Sequence, residues 1–150
     1  MVYEVREGEV LVSCDRSKLD LNRIHAFLTR SYWSEGVSRE TVERSIENSI
    51  PFGVLCGGEQ VGFARVISDR ASYAYLADVY IEEAYRGRGL SKLLMRAVMA
   101  HPELQGLRRW ILGTRDAHGL YRQFGFTELQ RPERWMEKAE PSLYQHEGRK

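Results

Sequence analysis

Between Tyr73 and His101 the chain passes from a strand pattern, through a glycine turn, into a helix pattern, and this stretch constrains the fold most. Residues 73–81 read Tyr-Ala-Tyr-Leu-Ala-Asp-Val-Tyr-Ile, almost all apolar and rich in aromatic and β-branched residues. Such a run predicts a strand buried on both faces. Leu90, Leu93, Leu94, Ala97 and Val98 then recur at helical spacing, with Lys92 and Arg96 on the opposite face. Arg86-Gly87-Arg88-Gly89 joins the two. The first amides of a helix have no intrahelical partner, and the helix dipole favours negative charge beside them. A strand, a glycine turn and a helix opening on that turn therefore predict an anion cradle.

The spacing narrows the ligand. A dinucleotide fingerprint requires a third glycine where this chain has Lys92, and a Walker loop requires a Gly-Lys-[Ser/Thr] ending that is absent here. Arg86-x-x-Gly89-x-Ser91 after a buried strand resembles the acetyl-CoA pyrophosphate loop of the GNAT superfamily, the acyl-CoA-dependent N-acetyltransferases. Ser91 stands where that family has Gly or Ala; its small side chain still permits close approach of the backbone. A second stretch, Thr114 to Phe126, is similar to the family's other signature, a helix of pattern Asn-x-x-Ala-x-x-Leu-Tyr closed by Gly-Phe. Ala117, Leu120, Tyr121, Gly125 and Phe126 match it, and Thr114 replaces the asparagine. Both motifs occur in the family's order.

The resemblance implies a mixed α/β (α+β) GNAT fold. Its features are a twisted, mostly antiparallel sheet, about four flanking helices, and a splayed parallel strand pair that holds the coenzyme. It also implies a cytoplasmic N-acetyltransferase that uses acetyl-CoA as acyl donor. Residues 1–138 are expected to form the single acetyltransferase domain, and the polar residues 139–150 a frayed tail. At 150 residues one domain suffices, and a chain of this size buries about two thirds of its unfolded surface. A formal net charge of +1 gives no general attraction to nucleic acid or to a membrane, and no apolar span or signal peptide is recognisable. Cys14 and Cys56 are far apart and expected as free thiols. The histidines show no ligand spacing, so no metal is expected.

The remaining elements follow from local signals. Residues 2–13 suggest a strand or hairpin turning at Glu7-Gly8-Glu9. Asp20 is positioned to cap a helix carrying Leu21, Ile24, Phe27 and Leu28, and Ser38 to cap a second one carrying Val42 and Ile46. Gly57-Gly58 predicts a hairpin between strands near 52–56 and 60–68. Arg108 to Gly113 reads as a strand parallel to Tyr73–Ile81, because a helix separates them. Residues 126–129 and 134–137 suggest closing strands.

Site roles come chiefly from the resemblance. It assigns the pyrophosphate clamp to backbone amides of Gly87, Arg88, Gly89, Leu90 and Ser91, with Arg86 opening the motif and Thr114 in the second one. It places the pantetheine arm along Val79 and Ile81, bonded like an added strand. It gives Tyr121 the part of protonating the departing thiolate, which suits a phenol of ordinary pKa about 10; a core tyrosine is the plainer alternative. Asp78 is a carboxylate in an apolar strand, costly unless paired. It serves either the incoming amine, as base or anchor, or an arginine such as Arg65. On the acceptor side, Tyr32 and Trp33 offer aromatic walls to a cationic amine, and Glu35 in the same loop is another candidate base. The expected acceptor is a small-molecule or amino-acid-like amine, and the protein a monomer or homodimer. A protein N-terminus or lysine as acceptor, or a coenzyme-binding sensor without turnover, are the competing readings.

Overall fold

A computed structural model of the protein describes residues 2–147. Its sheet has six strands in chain order, β1 (Glu4–Glu7), β2 (Val10–Ser13), β3 (Ile50–Cys56), β4 (Glu59–Ser68), β5 (Tyr73–Ile81) and β6 (Arg109–Ile111). All neighbours are antiparallel except β5 and β6, which run parallel, as a crossover through a helix requires. Among the described residues five α-helices accompany it: α1 (Leu21–Leu28), α2 (Arg39–Glu47), α3 (Leu90–Met99), α4 (His118–Arg122) and α5 (Leu143–Glu147). This is the mixed α/β architecture anticipated from the sequence.

Local chemistry sets the boundaries. Gly8, at φ +61°, turns β1 into β2, and Gly57-Gly58, both at positive φ, turn β3 into β4. The Asp20 carboxylate accepts from the Arg23 amide and the Ser38 hydroxyl from the Thr41 amide, so α1 and α2 begin where capping residues allow. Each helix then buries one stripe. Leu90, Leu93, Leu94, Met95, Ala97 and Val98 of α3 pack on one face of the sheet against Val12, Phe52, Val61, Ala64 and Val66. On the other face Ile24, Leu28, Val42 and Ile46 of α1 and α2 cover Phe63 and Tyr80. Leu94 is wholly enclosed; its truncation to alanine would cost about 2–5 kcal/mol.

Three expectations need correction. β5 is not buried on both faces throughout: Tyr73 and Tyr75 are exposed on the α1–α2 face, while Ala74 and Leu76 are buried on the other. Residues 126–129 and 134–137 form no strand. Pro132 opens a 3-10 turn at Pro132–Arg134, and Trp135 lies under the Arg109 guanidinium, 4.7 Å away, instead of pairing with β6. A cavity of about 890 Å³ is left between these segments and β6. The tail contains α5, whose Tyr144 packs against the α1–α2 core. Gly36 lets it approach: a Cβ there would stand 2.9 Å from the Tyr144 carbonyl oxygen.

Candidate active site

The parallel pair is short. β5 and β6 pair only at Tyr73↔Arg109, Ala74↔Trp110 and Tyr75↔Ile111, after which the chains diverge. A fork opens between the second half of β5 and the segment leading to α4. Asp78 marks the change of course. It has φ +56°, and the register between β4 and β5 slips there, Arg65 facing Ala77 but Phe63 facing Tyr80. One extra residue on β5 makes a bulge, and bulges re-aim strands. Beyond it the Glu82 amide donates to the Val61 carbonyl of β4. Backbone groups alternate between the two edges of a strand, so Val79 and Ile81 turn theirs toward the fork. The Ile81 carbonyl already accepts from Arg86 Nε at 2.9 Å, which folds the Arg86 side chain back against the strand end.

The fork leads to the glycine turn. Gly89, at φ +78°, is the N-cap of α3, and no side chain caps that end. Nothing lies within 4 Å of a Cβ built at Gly87 or Gly89. The amides of Leu90 and Ser91 begin a ten-residue helix with a buried apolar face, so the cradle rests on a rigid element. The Arg88 guanidinium sits 5.2 Å from the centre of the Tyr85 ring. These residues fit an anionic coenzyme: backbone donors at a helix N-terminus, room above them, and an open strand edge leading inward.

Two side chains of one loop bridge the fork. Trp33 Nε1 donates to Asp78 Oδ1 at 2.9 Å on the β5 side. On the other side the Tyr32 hydroxyl accepts from the Arg115 amide at 3.3 Å, and the Arg115 guanidinium lies 3.9 Å over the Tyr32 ring. The two rings meet edge to face, 5.1 Å apart. Asp78 Oδ2 accepts from Arg65 Nε at 2.6 Å, so the carboxylate has both oxygens committed and pairs with the arginine foreseen for it. Glu35, in the same loop, is exposed.

Tyr121 lies at the far wall. α4 starts where Thr114 Oγ1 accepts from the Ala117 amide, 3.0 Å away, so the Thr114 hydroxyl organises the helix entry. Gly125, at φ +90°, ends it. The Tyr121 ring is buried and meets Phe126 edge to face at 6.0 Å. Its hydroxyl has no hydrogen-bond partner among the described residues, yet is not sealed from water. Burial pushes its pKa up to about 12, with the nearby Tyr32 and then Asp116 adding to the rise. Tyr121 belongs to the core under α3, whereas Tyr32 comes from the opposite face; they influence each other across the fork. Trp33 and Tyr32 thus link Asp78 to the segment before α4, Tyr121 lies near Tyr32, and Val79, Ile81 and the Arg86–Ser91 turn follow Asp78 along the chain. What sequence reasoning missed is the bridging pattern, since no local motif links Trp33 to Asp78 or Tyr32 to Arg115. Among the described residues no group of three His, Cys, Asp or Glu is placed to hold a metal, and no helix is long and apolar enough to cross a membrane.

Comparison with known proteins identifies the family and the fold. The profile of the acetyltransferase (GNAT) family matches residues 19–126. The solved structure of a GNAT-family protein from Xanthomonas campestris pv. campestris is 51% identical, with a TM-score of 0.88, and the match covers 90% of this chain and 96% of that one. A Gibberella zeae protein named as an inferred acetyltransferase is 28% identical over 137 residues, 76% of each chain. A Clostridium acetobutylicum structure, a predicted acetyltransferase solved with acetyl-CoA, shares the fold at a TM-score of 0.61 and 12% identity, covering 93% of this chain and 95% of that one.

Proposed function

Because this chain belongs to the GNAT acetyltransferase family, we propose that it moves the acetyl group of acetyl-CoA onto the primary amine of a small, amino-acid-like acceptor. The observation that carries this reading is the fork: pairing stops at Tyr75↔Ile111 beside an α3 N-terminus that no side chain caps. That arrangement suits a long, thin, anionic donor, and the distantly related Clostridium structure with acetyl-CoA uses the same fold. When bound, acetyl-CoA supplies an activated acyl carbon: the acceptor nitrogen bonds to it, the C–S bond breaks, and the coenzyme leaves as a thiolate.

The chain's residues divide the remaining work. Amides of Gly87 to Ser91 neutralise the pyrophosphate, and the Val79 and Ile81 backbone aligns the arm. Tyr121, which burial keeps protonated and makes a weaker acid than a free phenol, donates a hydrogen bond where the thiolate forms. Any proton it passes to the sulfur is returned to the phenolate through water from the proton that the amine loses. Asp78, already bound to Arg65 and Trp33, acts as a positioning residue that fixes the bulge and the aromatic bridge. The proton lost by the amine leaves through water at the open fork. Calorimetric titration with acetyl-CoA, followed by thiol-release assays on a panel of amines and amino acids, tests the proposal. Micromolar binding with thiol release is the expected outcome. Binding without release from any amine would make the protein a coenzyme-binding module instead.

A further inference from the structure

We propose that the acceptor is an α-amino acid with an apolar or aromatic side chain, and that Arg65 selects it by holding its carboxylate. The inference rests on the acetyl-transfer reading above and concerns the acceptor half of that site. Arg65 has a guanidinium with one nitrogen in use: Nε donates to Asp78, while neither terminal nitrogen has a hydrogen-bond partner among the described residues. Tyr80 Oη is the sole fully buried side-chain polar atom without a partner among those residues, so the free Arg65 nitrogens face space that water reaches. A planar guanidinium fixed along one edge and open along the other is preorganised for a bidentate carboxylate.

Strand alternation says where that space is. Phe63 lies in the core under α1 and α2, while Ala64 and Val66 are buried on the α3 side. Arg65 and Ile67 therefore share the Phe63 face, just past the area those helices cover. Cross-strand pairing puts Arg65 opposite Ala77 and Ile67 opposite Tyr75, one residue before the Asp78 bulge in the first case. Ile67 and Tyr75, 40% and 42% exposed, open a cavity of about 810 Å³ whose other walls include Ile111, Leu112, Leu129 and Met136. Leu112 and Gly113 are the residues at which the chain after β6 peels away to form the fork. Same-face neighbours on a strand stand about 7 Å apart, the scale on which an amino acid separates its carboxylate from the end of its side chain. A carboxylate on Arg65 thus places the side chain over Ile67 and Tyr75 and the α-amine beside Asp78 and the fork. Arg65 itself stands just beyond this lining, next to Ile67 on the same strand face; of the two acidic groups within it, Asp69 is already spent on the amides of Ala71, Ser72 and Tyr73, and Glu137 is exposed.

The test compares acceptors that differ only in the carboxylate, L-phenylalanine with phenethylamine and L-leucine with isoamylamine. Thiol release with acetyl-CoA gives kcat/KM, and tryptophan fluorescence gives binding with and without coenzyme A. The amino acids should be at least tenfold better in kcat/KM or tighter in binding than their amines. In the Arg65→Lys variant, which keeps the charge beside Asp78 but not the second edge, the ratio of amino-acid to amine kcat/KM should fall toward one, whatever its absolute turnover. Equal or better use of the plain amines, or no binding of either amino acid, overturns the proposal. Failure of acetyl-CoA itself to bind would instead refute the acetyl-transfer reading, and is seen separately in the coenzyme titration.

Discussion

The two halves of the site are built in opposite ways. The proposed coenzyme half, from Val79 to Ser91, is one continuous piece of chain that would act through backbone amides and carbonyls. The proposed acceptor half draws Tyr32 and Trp33 from the loop after α1, Arg65 from β4 and Asp78 from the β5 bulge, and side-chain contacts hold them. A ligand bound by backbone needs glycine and small residues at fixed spacing, so its site is written locally. A ligand bound by side chains from distant segments needs only that the fold bring them together, and many sequences do so without a motif.

The largest effect should come from disturbing the contiguous half. Gly89→Val places a β-branched residue at φ +78° where its Cβ meets no protein atom within 4 Å. Strain of about 1–2 kcal/mol is the expected cost to the fold, while the side chain fills the cradle. Acetyl-CoA affinity should fall about a hundredfold or more, because the helix N-terminus loses its close contact with the anion. Calorimetry beside a thermal melt checks this; near-normal affinity would place the coenzyme elsewhere. Tyr121→Phe is the next largest and acts on turnover alone. Removing the donor should lower kcat by roughly 10²–10⁴-fold, with the coenzyme dissociation constant unchanged. An unaltered kcat would make Tyr121 a core residue only.

That contrast also explains what was legible beforehand. The glycine hairpin, the Asp20 and Ser38 caps and the strand–turn–helix rest on interactions within a few residues and lie where the patterns put them, and the parallel sense of β6 follows from the helix that separates it from β5. The β5 bulge at Asp78 was invisible, because an aspartate in an apolar run says that it must be paired but not that the backbone turns left-handed to pair it. The absent closing strands failed for a related reason. Phe126 packs on Trp110 and Tyr121, and Trp135 on Arg109, and these tertiary contacts outweigh strand propensity.

The acceptor half can be loosened without touching the cradle. Asp78→Asn keeps a residue that tolerates positive φ but puts an amide between two donors, Arg65 and Trp33. The Asp78 and Arg65 side chains are 9% and 17% exposed, and breaking so enclosed an ion pair on one side costs about 3–5 kcal/mol. Thermal melts should show the loss, the acceptor KM should rise, and acetyl-CoA binding should persist. Asp78→Ala should be worse by about 1 kcal/mol more, since alanine is also strained at φ +56°. Equal coenzyme loss in both would mean that the two halves are not separable.

The smallest effect concerns the floor beneath the bridge. Tyr80 stacks on Phe27 with ring centres 3.7 Å apart, and Phe27 in turn meets Trp33 at 6.2 Å, so the aromatic bridge rests on this pair. The Tyr80 hydroxyl is buried without a partner among the described residues, and an unsatisfied buried hydroxyl costs about 1–3 kcal/mol. Tyr80→Phe keeps the stacking and removes that cost, so stability at neutral pH should rise by about 1 kcal/mol, or about 2–4 °C in Tm. The sign extends to alkaline pH. Burial raises the Tyr80 pKa above 10, with Glu82 adding to the rise; the native state therefore holds its proton where the unfolded chain has released it. Stability from this group is complete below pH 10 and falls as pH climbs toward the folded value. Tyr80→Phe should blunt that alkaline loss, so its advantage over the parent grows above pH 10. A variant that is less stable at pH 7, or whose alkaline slope is unchanged, would show that the hydroxyl has a partner such as ordered water and that the acceptor wall is hydrated from below.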